Sequence, residues 1–174
     1  MNRIAQMIVT LSMCLWLGGL IALFLFVSAL FKHDRTVAIQ GAPILFDVFA
    51  MYQIIVGLVG LIALLVWRSM VRSLAMTAMI VLFALSLGST AYVTFSIIPE
   101  MTSIRVAGQS GDSPRFKQLH GQSMMFYSSQ TIALLIAAML LPAAISADAL
   151  TRRSRGSVEA RGFPVGTADP VAAR

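Results

Sequence analysis

"LAMTAMIVLFALSLGSTAYVTFSII", residues 74–98, carries no charged side chain from end to end. As a helix rising 1.5 Å per residue it covers roughly 37 Å, more than the ~30 Å hydrocarbon core of a bilayer. Backbone groups facing lipid need partners within their own segment, so a helix is the form to expect. The pattern recurs along the chain. Residues 4–31 and 48–66 are free of charge, and 119–147 hold only His120 as a group that can take a charge near neutral pH. Hydrophobic residues make up 58% of the chain and charged residues 11%, against roughly 25% charged in soluble domains. These observations predict an all-α membrane protein, a four-transmembrane-helix bundle with antiparallel neighbours.

The first run is far longer than the roughly 7–15 apolar residues of a secretory signal, although Val27-Ser28-Ala29 is a passable cleavage site. It reads as a retained span. The predicted domain is 1–147, with spans at about 4–31, 48–66, 74–98 and 119–147, followed by a basic, disordered cytoplasmic tail, 148–174. Residues after about Asp148 are expected to be dispensable for insertion. Residues 67–73 read as a tight turn, and 32–47 as a half-apolar loop in which Pro43 opens a short helix. Residues 99–118 read as a polar connection that Pro99 begins and "GQSGDSP" keeps flexible.

Charge sets an orientation. With four spans, Arg3, Arg68, Arg72, Arg152, Arg153, Arg155, Arg161 and Arg174 share one side, while Lys32, Arg35, Arg105, Arg115 and Lys117 take the other. The bias predicts both termini in the cytoplasm of a bacterial inner membrane. The net charge of +6 then matches attraction to anionic lipid heads and requires no nucleic acid. Cys14 is the single cysteine, which excludes an intrachain disulfide and reads as a small packing residue. Gly18 with Ala22, Gly57 with Gly60, and Ala84 with Gly88 and Ala91 predict close helix contacts.

Polar residues gather toward the opposite, outer side. At 100° per residue His120, Ser123, Tyr127, Gln130 and Thr131 share a face of the fourth helix and reach about 16 Å deep. Asp47, Tyr52 and Gln53 on the second helix, and Tyr92, Thr94, Ser96 and Glu100 on the third, sit at comparable levels. Two readings follow. The residues form a network that locks the bundle, with Glu100 or Asp47 as partner to His120. Alternatively, His120, Ser123, Tyr127, Glu100, Tyr92, Tyr52 and Asp47 line a pocket for a small polar solute or metal ion, in a protein that must oligomerise to transport it.

Other chemistries find less in the sequence. The two histidines and scattered carboxylates lack zinc-ligand spacing. His120 and Met124, one turn apart, suit soft copper, but with 11 methionines such pairs arise by chance. A bis-histidine haem would require His33 and His120 to meet. No nucleophile–base pattern and no phosphate-binding glycine loop is present, so the reading leans away from an enzyme. A structural or accessory subunit of a larger membrane complex is the main alternative to the pocket, and a haem- or porphyrin-linked oxidoreductase the lesser one.

Four strings follow in order: "LWLGGLIALFLF" at 15–26, "AIQGAPILFDVFAMYQ" at 38–53, "IIPEMTSIR" at 97–105 and "FKQLHGQS" at 116–123. That order resembles the transmembrane protein 205-like family of small four-helix membrane proteins. Phe116, His120, Gly121 and Ser123 are its sharpest part, and Trp16 and Pro99 weaker ones. The likeness covers about residues 10–140 and implies the fold and a membrane location, but no reaction. Family members often carry Asn where this chain has Tyr127. More distantly, Trp16, Gly18 and His33 resemble the first helix of four-helix membrane haem proteins of the protoporphyrinogen-oxidase type.

Overall fold

The computed structural model describes residues 2–108 and 113–161, with side chains described only as far as Ser154. Its elements are α1 (Asn2–His33), α2 (Arg35–Met70), α3 (Leu74–Tyr92), a π-helical stretch (Val93–Ile97), α4 (Ile98–Val106) and α5 (Pro114–Arg161). No strand occurs among the described residues. α3, the π stretch and α4 run on as one rod, Leu74–Val106, so the chain has four rods, each long and apolar enough to cross a membrane. Most of their large apolar side chains face outward, including Phe24, Leu25, Ile55, Leu85 and Met139. A surface of that kind is stable in lipid and not in water.

Two expected loops are helix instead. Asp34 alone separates α1 from α2, in extended backbone (φ −149, ψ 110), where its carboxylate accepts from the Thr36 and Val37 amides at 2.7 and 3.2 Å. That cap satisfies two of the four amides a helix start leaves open. α2 therefore begins at Arg35 and passes through Pro43, which the sequence placed at a later helix start. Ala38 and Ala42 are buried, and Leu30 of α1 lies against Gly41. The hairpin between α1 and α2 is thus helical almost to its tip.

Pro99, likewise, does not end the third rod. Proline has no amide hydrogen, and its ring collides with the carbonyl four residues earlier in an α-helix. Here the backbone widens first: Val93–Ile97 is π-helical, with Ile98 N donating to Val93 O, and Pro99 falls in the first turn of α4. The insertion gives the proline room. Glu100 to Val106, expected in a connection, are therefore helical. The flexible-loop expectation falls largely on 109–112, outside the described residues. α5 also runs past Ala147 to Arg161, so 148–161 are helical rather than part of an irregular tail. The expectation of disorder for 162–174 lies outside the described residues.

The core is assembled in layers from pairs of helices. Ser12 of α1 meets Gly60 of α2, Trp16 meets Gly57, and Gly19 meets Phe49. A Cβ at Gly57 would lie 2.7 Å from the Trp16 ring, and one at Gly60 2.7 Å from Phe83 and 3.0 Å from Ser12. The predicted close approach on α2 is therefore present. Gly18 and Gly88 have nothing within 4 Å of a Cβ, and Ala22 and Ala84 are exposed. The small faces of α1 and α3 look out of the bundle; on α1, Gly19 rather than Gly18 meets α2. One apolar cluster, with Trp16, Leu64, Trp67, Met76, Met79, Phe83 and Leu134 at its centre, fills the bundle toward the end that carries the chain termini. A second, Val93, Ile97, Met101 and Leu119, fills the seam between the third rod and α5 at the other end.

Candidate functional site

Between those two clusters lies a knot of polar side chains drawn from all four rods. Trp16 of α1, Gln53 of α2, Thr90 of α3 and Gln130 of α5 are each at most 2% exposed. Gln53 Oε1 accepts from Trp16 Nε1 at 3.1 Å and from Gln130 Nε2 at 2.5 Å. The second hydrogen of Gln130 Nε2 goes to Thr90 Oγ1 at 2.9 Å. Thr90 has one hydroxyl hydrogen; the Ser86 carbonyl lies 3.0 Å away and Gln53 Oε1 3.4 Å, so the carbonyl is the better acceptor.

Local sequence explains each position. On the third rod, Ser86 and Thr90 of α3 and Thr94 at the start of the π-helical stretch recur every four residues and so share one inward face. On α5 the buried positions 119, 123, 130, 134, 137, 144 and 148 define the inward line. Gln130 lies on it at the inner end of a polar stretch, just before the hydrocarbon run of residues 132–145. A primary amide facing lipid there would lose its water without replacement, which favours burial against other polar groups. Gln53 Nε2, Ser86 Oγ and Thr94 Oγ1 are buried beside or within a turn of this knot, and Trp67 Nε1 near the terminal end. All four atoms lack a hydrogen-bond partner among the described residues.

The knot contains two amides, an indole and a hydroxyl. None of these gains or loses a proton near neutral pH, and none is an activated nucleophile. The arrangement can orient dipoles, hold helices in register and hydrogen-bond a neutral polar group. It is not built for acid–base chemistry.

The seven residues expected to line an outer pocket are placed as follows. His120 is exposed, its ring parallel to Phe116 at 6.4 Å between centroids, with Arg105 over the same Phe116 ring at 5.3 Å. Ser123 is buried, but its hydroxyl donates to the His120 carbonyl of its own helix at 2.8 Å. Tyr127 is half-buried and packs on Phe46. Tyr92 is 49% exposed and packs on Phe126. Tyr52 donates to the Leu15 carbonyl at 3.1 Å. Asp47 is exposed on α2. Glu100 binds Arg115 through both oxygens, at 2.6 and 3.0 Å, and ties α4 to α5. The expected pairing of Glu100 with His120 is therefore replaced by an Arg115 fork, the stronger geometry for a carboxylate.

Apolar packing by Val93, Ile97, Met101 and Leu119 occupies the seam these residues surround. His120 sits one residue, or about 100°, from buried Leu119, which turns its ring out of the bundle. His33 and His120 are both exposed, as is Met124, the other half of the copper pair. Among the described residues, no group of three His, Cys, Asp or Glu side chains gathers as a metal site.

A further polar contact closes the opposite end. Asp148 of α5 is 2% exposed and accepts from Gln6 Nε2 of α1 at 2.5 Å, with Arg152 one turn along the helix as its ion-pair partner. Comparison with protein-family models, with curated proteins and with solved structures gives no match to this chain.

Proposed function

We propose that this chain is an integral protein of a bacterial inner membrane, with both termini cytoplasmic, that serves as a structural or accessory subunit of a larger membrane complex. The observation that carries the proposal is the closed knot of Trp16, Gln53, Thr90 and Gln130. It joins all four rods through side chains with no titratable group, and apolar packing lies on either side of it. Such a body holds its shape and presents surfaces. Gly18 with Ala22, and Ala84 with Gly88, lie outward and give flat strips on which helices of another subunit can pack closely. An antiparallel order of neighbours is supported by the contacts of residues 12, 16 and 19 with 60, 57 and 49 in turn. Resemblance to the transmembrane protein 205-like family, carried by Phe116, His120, Gly121 and Ser123, agrees with the membrane location.

A second reading has one observation in its favour. Gln53 Nε2, Ser86 Oγ and Thr94 Oγ1 are buried polar atoms with unused bonding capacity among the described residues. A small neutral polar solute would satisfy them, in a protein that binds or helps move such a solute as a homo-oligomer. Purification of the natively expressed protein in mild detergent separates the readings. A second polypeptide at fixed stoichiometry is expected for the accessory role. A colourless homo-oligomer would contradict that role and favour the solute. A Soret band would favour the haem-linked oxidoreductase, for which His33 and His120 are the available ligands.

A further inference from the structure

We propose that the turn between α2 and α3 binds the phosphate of an anionic phospholipid between Arg68 and Arg72. A cleft of about 500 Å³ opens at this turn, lined by Leu65, Arg68, Ser69 and Arg72. Arg68 is held from one side, since its Nη1 donates to Thr77 Oγ1 of α3. The rest of its guanidinium fork stays available for a second acceptor. Arg72 is exposed and has no hydrogen-bond or ion-pair partner among the described residues. No Asp or Glu occurs between Asp47 and Glu100, so no carboxylate of α2 or α3 lies near this turn. The buried carboxylate at the same end of the bundle, Asp148, is engaged by Gln6 and Arg152.

Two arginines that share a cleft with no counter-charge among the described residues are a site for an acceptor-rich anion, and phosphate fits their planar forks. Apolar surroundings choose between the sources of that phosphate. Leu65 on the cleft wall is 50% exposed, and Leu74 just beyond the turn 86%. An acyl chain covers such side chains; inorganic phosphate does not. The occupant is therefore a lipid whose headgroup sits at the turn and whose chains descend along α2 and α3. This site depends on the four rods crossing a bilayer and is independent of the accessory role.

The test uses the purified full chain in detergent, titrated with phosphatidylglycerol or phosphatidylcholine and read by native mass spectrometry. Wild type should retain phosphatidylglycerol in preference. Arg72→Gln, which breaks no hydrogen bond or ion pair among the described residues, should lower that affinity about fivefold, the worth of one basic residue beside anionic lipid, and Arg68→Gln with Arg72→Gln about 30-fold. Lys32→Gln with Arg35→Gln, an equal charge change at the opposite end, should leave it unchanged. An unaltered melting temperature for Arg72→Gln would confirm that its loss is not one of folding. The proposal is overturned if the arginine variants bind like wild type, or if the control pair loses as much. Displacement of the lipid by millimolar inorganic phosphate would overturn the lipid as occupant in favour of a free anion.

Discussion

Gln130 has both amide hydrogens committed, one to Gln53 and one to Thr90, so its truncation should be felt on two helices at once. Gln130→Leu leaves Gln53 Oε1 without its shortest bond and should cost about 1–2 kcal/mol in a detergent unfolding titration. Gln53→Leu with Gln130→Leu should cost less than the sum of the single changes, because neither partner is then stranded; the coupling should be about 1 kcal/mol. Additive losses would show that the pair does not act as a unit. Gly57→Ala tests packing at the same level, since the new methyl would meet the Trp16 ring, and a loss of about 1–3 kcal/mol is expected. At this scale the sequence is legible in part. Gln53 and Gln130 stand out as amides within charge-free runs, and the Gly57–Gly60 strip reads correctly. Their comparable depth is legible too, but their meeting depends on how the rods rotate against each other, which hydropathy along one helix does not set.

Element boundaries follow from local chemistry that hydropathy does not register. Asp34 ends one helix and starts the next, a cap recognisable from its residue type only once a helix is known to follow. Asp34→Ala should destabilise the start of α2 by about 1 kcal/mol and speed hydrogen exchange at the Thr36 and Val37 amides; Asp34→Asn should do neither. Unchanged exchange in the alanine variant would mean that the cap contributes nothing. At the far end of the chain, residues after about Asp148 are expected to be dispensable for insertion, whereas Asp148 itself is buried and bonded to Gln6. A chain ending at Ala147 should therefore melt several degrees lower than one ending at Arg161, since it strands the Gln6 amide. Equal melting temperatures would remove Asp148 from the account. The π-helical stretch before Pro99 is a different case. Proline at that position was visible in the sequence, but a break and a widened helix answer the same steric problem, and only packing on both sides selects the second.

For the whole molecule, periodicity and charge-free length suffice to read four rods able to cross a membrane, since both depend on composition over some twenty residues rather than on any one contact. The position of the polar centre depends instead on how the rods rotate against each other. A rotation of 100° separates buried Leu119 from exposed His120. The bias of basic residues predicts that a C-terminal fluorescent-protein fusion is bright and a C-terminal alkaline phosphatase fusion inactive, and the reverse pair of results would invert the topology. The central claim is that the bundle is closed around its polar knot, with no aqueous route to it from the side of His120. Single cysteines in a Cys14→Ala background test this directly when membrane vesicles are treated with a membrane-impermeant maleimide from either face. Gln118→Cys, on an exposed residue, should label readily from one face, while Ser123→Cys and Thr90→Cys should stay unlabelled from both. Rapid labelling of Ser123→Cys and Thr90→Cys from the face that labels Gln118→Cys would contradict the account and place a water-filled pocket where the closed bundle is drawn.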